Sequence, residues 1–181
     1  MRIIGGAYKG RHLIGHPIDV RPTTDFAKES LFNILNNYFF FDKISVLDLF
    51  SGSGSISFEF ASRGCNDIEL VEINPKNIKI INDNIKNIGI KSIKTYIADA
   101  YNFLNRCNKK YDIIFADPPY DSKFTNKLPE IVFHKGILKN EGWLILEHSK
   151  YLNFKNFKHF KEERKYGEVH FSFFVYRKES E

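Results

Sequence analysis

From residue 44 onward, two apolar patterns alternate along this chain. Runs at 44–50, 67–73, 92–98, 111–116 and 142–147 are short and rich in β-branched residues. Ile113-Ile114-Phe115-Ala116 in the fourth run has the look of a strand buried on both faces. Between the runs the apolar residues return every three or four positions. A glycine turn at 51–54 opens a helix to about Arg63, with Gly64 just past its end. Asn74 caps a second helix with Pro75 at its first position. Ile78, Ile81, Ile85 and Ile88 form its buried stripe, and Gly89 stops it. A short helix follows Asp99 through Leu104, and 124–134 reads as mostly helical despite Pro129. Residues 157–165 and 169–177 then alternate around Tyr166-Gly167, a hairpin signal. The pattern predicts an α/β chain with a doubly wound, mostly parallel seven-stranded sheet containing one antiparallel strand.

The first 41 residues read differently. Short apolar pairs around Gly5-Gly6 and Gly10 predict a small β-hairpin at 2–14, carrying Arg2, Lys9 and Arg11. Those charges suit either a solvated edge that deters strand pairing or contacts to RNA. After a loop ending in Arg21-Pro22, the Thr23-Thr24-Asp25 run offers helix caps. Ala27, Leu31, Ile34, Leu35 and Tyr38 give the following helix one apolar face. At 181 residues this suits a single domain, with 1–41 as an N-terminal extension and 42–181 as the core.

Composition narrows the classes. The start has no apolar stretch of signal-peptide length, and no run is long enough to span a membrane. Cys65 and Cys107 have neither metal-ligand nor CxxC spacing, so a reduced, cytoplasmic, metal-free protein is expected. A net charge of +5 suits an acidic partner, although the densest basic surplus lies at 76–110, away from the expected site.

Candidate chemistry gathers at strand ends. The fourth run continues as YDIIFADPPY (111–120), and two prolines force the chain out of the sheet. Asp117, the Pro118 carbonyl and the Tyr120 ring thus meet at a C-terminal strand edge, where open α/β sheets bind ligands. Asp48-Leu49-Phe50-Ser51-Gly52-Ser53-Gly54 ends the first strand. Its glycines permit close approach of a ligand, but Ser57 replaces the third glycine of a dinucleotide fingerprint. Glu72 ends the second strand about 20 residues further on, either as an acceptor for ribose hydroxyls or as a cap carboxylate. Asp99 ends the third, either accepting an adenine amine or capping the next helix. Together these describe a pocket for an adenosine cofactor without phosphates, S-adenosylmethionine, with Phe50, Ile73 and Ala100 flanking it. Asp117 and the Pro118 carbonyl can each accept an N–H of a nucleobase amine and turn its lone pair out of the ring plane. Tyr120 offers a stacking face. His148, after the fifth run, either lines the pocket or is a polar strand end.

The chain resembles, across nearly its whole length, the bacterial 16S ribosomal RNA guanine-N2 methyltransferases. The matching stretches are RIIGGAYKGRHL at the start, RPTTDFAKESLFNIL (21–35), VLDLFSGSGSISFEFASRG (46–64), VEINP (71–75), DIIFADPPY (112–120) and the closing RKYGEVHFSFFVYRK. The resemblance implies a class I S-adenosylmethionine-dependent fold releasing S-adenosylhomocysteine. It also implies a monomer acting on 16S rRNA in the small subunit or an assembly intermediate, with N2-methylguanine as product. By it, Asp48, Ser51, Gly52, Gly54, Glu72 and Asp99 contact the cofactor. Asp117 and Tyr120 hold the guanine, Arg21 and Thr23 border the cleft, and Arg2, Lys9, Arg11 and Arg21 are the RNA candidates. One departure stands out. The family carries more arginine where this chain has Phe26 and Ala27, leaving Lys28 as the basic residue there.

Two other readings share parts of this pattern. A DNA adenine or cytosine amino-methyltransferase also uses DPPY but needs a further target-reading region, for which no stretch is free. A non-catalytic RNA-binding assembly factor on the same fold is the alternative of a different class.

Overall fold

The computed structural model describes residues 1–15, 17–18, 24–119, 122 and 124–178. Seven strands form one sheet: β1 (Ser45–Leu49), β2 (Asp67–Glu72), β3 (Ile93–Ile97), β4 (Tyr111–Ala116), β5 (Leu138–His148), β6 (Phe160–Tyr166) and β7 (Val169–Val175). Their order is β3-β2-β1-β4-β5-β7-β6. β7 runs antiparallel to both neighbours, and the other pairings are parallel. This is the class I methyltransferase fold.

Helices cover both faces. α1 (Asp25–Leu35), α2 (Ser55–Ser62) and α3 (Pro75–Ile88) bury Leu31, Phe58 and Ile81 against one face of the sheet. α4 (Ala100–Arg106) and α5 (Leu128–Lys135) bury Leu104 and Val132 against the other. The caps lie where the sequence puts them. The Thr24 hydroxyl accepts from the Ala27 amide at 3.2 Å, and Asn74 Oδ1 accepts from the Lys76 amide at 2.9 Å. Pro129 falls in the first turn of α5, where its missing amide costs nothing, behind a separate 3₁₀ turn at Thr125–Lys127. The strand expected at 142–147 is longer, beginning at Leu138. Its polar first residues conceal an irregular start: the β4–β5 register shifts between Tyr111 and Ile113, and Glu141 has φ 59°.

The N-terminal hairpin is not formed as a ribbon. A single antiparallel bridge joins Arg2 and His12. Around it the Ile3 and Leu13 amides donate to the Arg11 and Met1 carbonyls at 2.9 Å and the Gly10 amide to the Ile3 carbonyl at 2.8 Å, and side chains from the helices take other amides of the segment. Buried Glu59 of α2 accepts from the Ile4 and Gly5 amides at 2.9 and 2.8 Å, and Arg63 pairs with it at 2.9 Å. Asn84 and Asn77 of α3 each bond both the amide and the carbonyl of one residue, Ile14 and Ile18 respectively. Gly6 makes the close approach possible: with φ 75°, an added Cβ would lie 1.9 Å from the Ser62 carbonyl oxygen.

Asp48, the penultimate residue of β1, is fully buried against α2 and takes a 2.6 Å hydrogen bond from the Ser57 hydroxyl. Burial pushes its carboxyl up from 3.8 to about 7, against the pull of Ser57, with a small further push from Glu72.

Two stability predictions follow from these buried acids. Glu59→Ala removes the acceptor of two amides and the partner of Arg63. Urea denaturation is expected to show a loss of about 3 kcal/mol. For Asp48, the folded protein keeps a proton that the unfolded chain gives up near pH 4. Stability therefore falls as pH rises from about 4 to about 7, by roughly 4 kcal/mol, and the whole cost is present above that window. Asp48→Asn should gain on the wild type progressively across this range, in urea midpoints measured at pH 5 and pH 8. A constant offset between the two proteins would refute the assignment.

Candidate active site

The sheet order reverses its direction of winding between β1 and β4, and loops leaving these two strands diverge to opposite faces. An open cleft of about 740 Å³ lies over the C-terminal strand ends there. Of the residues expected at a cofactor site, Phe50, Gly52, Glu72, Ile73, Asp99 and Ala100 line it, and Asp117 and Pro118 line it from the side of β4. Four separate strand ends thus converge on one space.

The turn after β1 is built for this approach. Phe50 has φ 56°, a left-handed conformation that costs a non-glycine residue about 1–3 kcal/mol. Its ring meets Tyr101 edge-on at 5.6 Å. The Ser51 amide and hydroxyl both donate to the Val71 carbonyl, at 3.1 and 3.0 Å, fixing the turn to β2. Gly54, with φ 73°, starts α2. Ser51 and Gly54 shape the turn without lining the cleft, and Asp48 lies beneath it.

Glu72 is buried, and both its oxygens are engaged. One accepts from the Gly52 amide at 2.8 Å and the other from the Asn74 amide at 2.7 Å. It therefore joins the glycine turn to the start of α3. Each carboxylate oxygen has a second lone pair, so acceptor capacity remains toward the cleft. Asp99 does cap α4, with Oδ1 accepting from the Asn102 amide at 2.9 Å, and it also lines the cleft. The two readings of Asp99 are therefore compatible: one oxygen caps and the other is available. These features suit a nucleoside-bearing cofactor, with carboxylates rather than a phosphate cradle at its walls.

Asp117 is half-buried and its amide reaches the Leu49 carbonyl at 3.4 Å, which keeps the DPP segment beside β1. Tyr120, Thr23 and Arg21 lie outside the described residues. Further residues line the cleft that sequence patterns do not single out: Ile18, Asn77, Tyr101, Ser122 and Glu147. Glu147 is buried one position beyond the Ala116–Leu146 pairing, beside Asp117. Its only sequence signal was an acid ending an apolar run. The Tyr101 hydroxyl is buried without a well-formed hydrogen bond, beside Ser122.

His148 is a buried strand end and does not line the cleft. Its ring nitrogens lie 2.8 Å from the Ser149 carbonyl and 2.8 Å from the Ser172 hydroxyl. These partners suit a neutral imidazole, and burial lowers its pKa. Lys28 is also buried. Its Nζ donates to the Arg2 carbonyl at 2.7 Å and to the Ser55 hydroxyl at 3.0 Å, and burial lowers its pKa. It therefore cannot stand in for the surface arginines of the resembling family. Lys9, Arg11 and Arg2 are exposed, and Arg2 pairs with Asp25 at 2.9 Å.

Comparison with known proteins agrees with this geometry. A family model described as "Conserved hypothetical protein 95" matches residues 1–175. The chain is 31% identical to "Ribosomal RNA small subunit methyltransferase D" of Buchnera aphidicola subsp. Baizongia pistaciae, covering 97% of this chain and 91% of that protein. It is 35% identical to "Putative rRNA methyltransferase YlbH" of Bacillus subtilis, covering 83% of each. Among solved structures, "Putative methyltransferase yhhF" from Escherichia coli superposes with a TM-score of 0.86 at 25% identity, over 99% of both chains. With the cleft, the strand-end carboxylates and these relatives in agreement, the chain belongs to the Conserved hypothetical protein 95 family of S-adenosylmethionine-dependent methyltransferases.

Proposed function

We propose that this protein methylates the exocyclic N2 amine of one guanine in small-subunit ribosomal RNA. The observation that carries this reading is the meeting of Glu72, Asp99, Asp117 and Pro118 in a single cleft. The names of the relatives and the resemblance to guanine-N2 methyltransferases support the substrate. When bound, S-adenosylmethionine supplies an electrophilic methyl group and leaves as S-adenosylhomocysteine.

The chain's own residues bind and orient. Glu72, held rigid by the Gly52 and Asn74 amides, accepts the ribose hydroxyls, and the free oxygen of Asp99 accepts the adenine amine. Phe50, Ile73 and Ala100 flank the adenosine, with Thr23 at the border of the cleft. Asp117 accepts one N–H of the guanine amine and the Pro118 carbonyl accepts the other, so that the nitrogen lone pair turns toward the methyl group. Positive charge that grows on that nitrogen is stabilised by the Asp117 carboxylate, and the methylated nitrogen then gives up its extra proton to solvent to leave neutral N2-methylguanine. Tyr120 stacks on the withdrawn base. Arg2, Lys9, Arg11 and Arg21 contact phosphates, so residues 1–41 form the RNA-facing extension of a core at 42–181. The enzyme acts as a cytoplasmic monomer, and no step in this chemistry calls for a metal ion.

Transfer of labelled methyl groups to small subunits lacking the modification tests the proposal. N2-methylguanosine at a single position is the expected product. Labelling of DNA alone would overturn the choice of substrate. Asp117→Ala should bind the cofactor as the wild type does by calorimetry and lose roughly 10²–10³ in turnover. Loss of cofactor binding with an unchanged melting temperature would remove Asp117 from its assigned role. Replacing Lys9 and Arg11 together by Glu should weaken RNA binding and flatten its salt dependence while cofactor affinity holds.

A further inference from the structure

One buried acid of the cleft takes no part in holding the cofactor or the guanine amine. Glu147 is 4% exposed and lines the cleft together with Asp117 and Pro118. A carboxylate taken out of water needs hydrogen-bond donors to replace its hydration. Register fixes where this one lies. β5 runs parallel to β4 with Leu146 beside Ala116, so the next step sets Glu147 beside Asp117. Trp143 and Ile145 belong to the core on the α1–α3 side of the sheet, whereas Leu144 and Leu146 belong to the other side. Strand alternation therefore turns Glu147 to the α1–α3 side. Glu72 ends β2 on that same side, two positions after Leu70. Sheet order then decides which ligand each acid meets. Glu72 and Asp99 follow β2 and β3, Asp117 follows β4, and Glu147 lies on β5, beyond Asp117. The acid on that far side meets the base rather than the cofactor.

We infer that Glu147 accepts the ring N1–H of the target guanine and so selects guanine over other amino-bearing bases; this rests on the function proposed above. The ring N1–H and the N2 amine are neighbours on one edge of guanine, which makes three N–H donors in a row. Asp117 and the Pro118 carbonyl take the two amine hydrogens. The third calls for one more acceptor beside Asp117, and the neighbouring strand supplies it at a backbone spacing of about 4.8 Å. Glu reaches one methylene further than Asp, enough to meet a ring atom next to the amine. The two oxygens of a carboxylate have about four acceptor positions in all, so a hydrogen bond to the protein leaves others for the base.

The same acid rejects the alternatives. Adenine and cytosine also carry an exocyclic amine, but the ring nitrogen beside it is an acceptor. Either base would set a lone pair against the Glu147 carboxylate and leave buried acceptors facing each other. Uracil has no amine to methylate. An Asp-Pro-Pro turn by itself fits any amino base, because it reads only the two amine hydrogens. Discrimination among the amino bases therefore falls to the next strand. Two carboxylates side by side also repel each other in a partly buried cleft. An edge with three donors relieves that repulsion, and an edge with a ring acceptor adds to it.

Small subunits reconstituted with either guanine or 2-aminopurine at the methylated position test this. 2-Aminopurine keeps the N2 amine, but its N1 is a bare acceptor and it lacks O6. Wild-type kcat/KM should favour guanine by roughly a hundredfold or more. Glu147→Gln can turn its amide N–H toward the bare N1, so its preference should shrink to about tenfold or less. Loss of O6 affects both proteins alike and cancels between them. The variant should keep its fold, by circular dichroism, and its cofactor affinity, by calorimetry. An equal preference for guanine in the two proteins would overturn the assignment, as would a loss of cofactor affinity in a folded variant. If the variant does not fold, the wild type decides alone: equal rates on the two bases would overturn the assignment. Failure of the wild type to methylate the guanine-containing subunit would instead overturn the proposed function.

Discussion

Carboxylates that accept backbone amides hold the irregular parts of this molecule in place. Glu72 ties the Gly52 turn to the start of α3, Glu59 ties residues 4 and 5 to α2, and Asp99 caps α4. Each acid sits where loop amides have no strand or helix partner, so its loss would leave buried donors unsatisfied. Fixing Glu72 by two amides also fixes what it presents to the cleft. The same interaction that stabilises the turn therefore fixes one wall of the cleft, without separate residues for each task.

The N-terminal segment depends on this arrangement as well as on its own short backbone pairing. Ile3 and Leu13 reach the core, but the backbone between and beyond them is held by Glu59, Ser62, Asn77 and Asn84. Asn77 and Asn84 lie seven residues apart on α3, two turns along one face, and each reads an amide and a carbonyl as a neighbouring strand would. Through Asn77, Ile18 reaches the cleft wall. Sequence that precedes the core thereby becomes part of the site. The exposed residues Lys9 and Arg11 face outward from a support anchored to the same helices.

Asp48 shows how a strand-end acid can serve the site without touching it. It lies below the glycine turn, hydrogen-bonded to Ser57, and its burial favours the protonated form up to about pH 7. A protonated Asp48 leaves Glu72 as the nearer negative charge at the cleft wall. The two carboxylates then do not repel each other across the turn.

Local pattern alone determined much of this protein. The strand and helix alternation, the Thr24, Asn74 and Asp99 caps, the helix stops at Gly64 and Gly89, and the acids at strand ends were all readable. Each is set by neighbours within a few residues: period, turn residues and capping geometry. Tertiary structure decided the rest. Apolar pairs at 2–14 predict a hairpin, of which only a short pairing around Ile3 and Arg11 forms, because periodicity cannot show that side chains of α2 and α3 hold the flanking backbone. The burial of Lys28 is not readable locally, because nothing in its neighbours shows that the Arg2 carbonyl and Ser55 take its amine. Glu147, Asn77 and Tyr101 joined the site only because β1 and β4 are adjacent in the sheet. Sequence fixes which groups end each strand, whereas strand order and helix docking, which are non-local, decide which of those ends share one space.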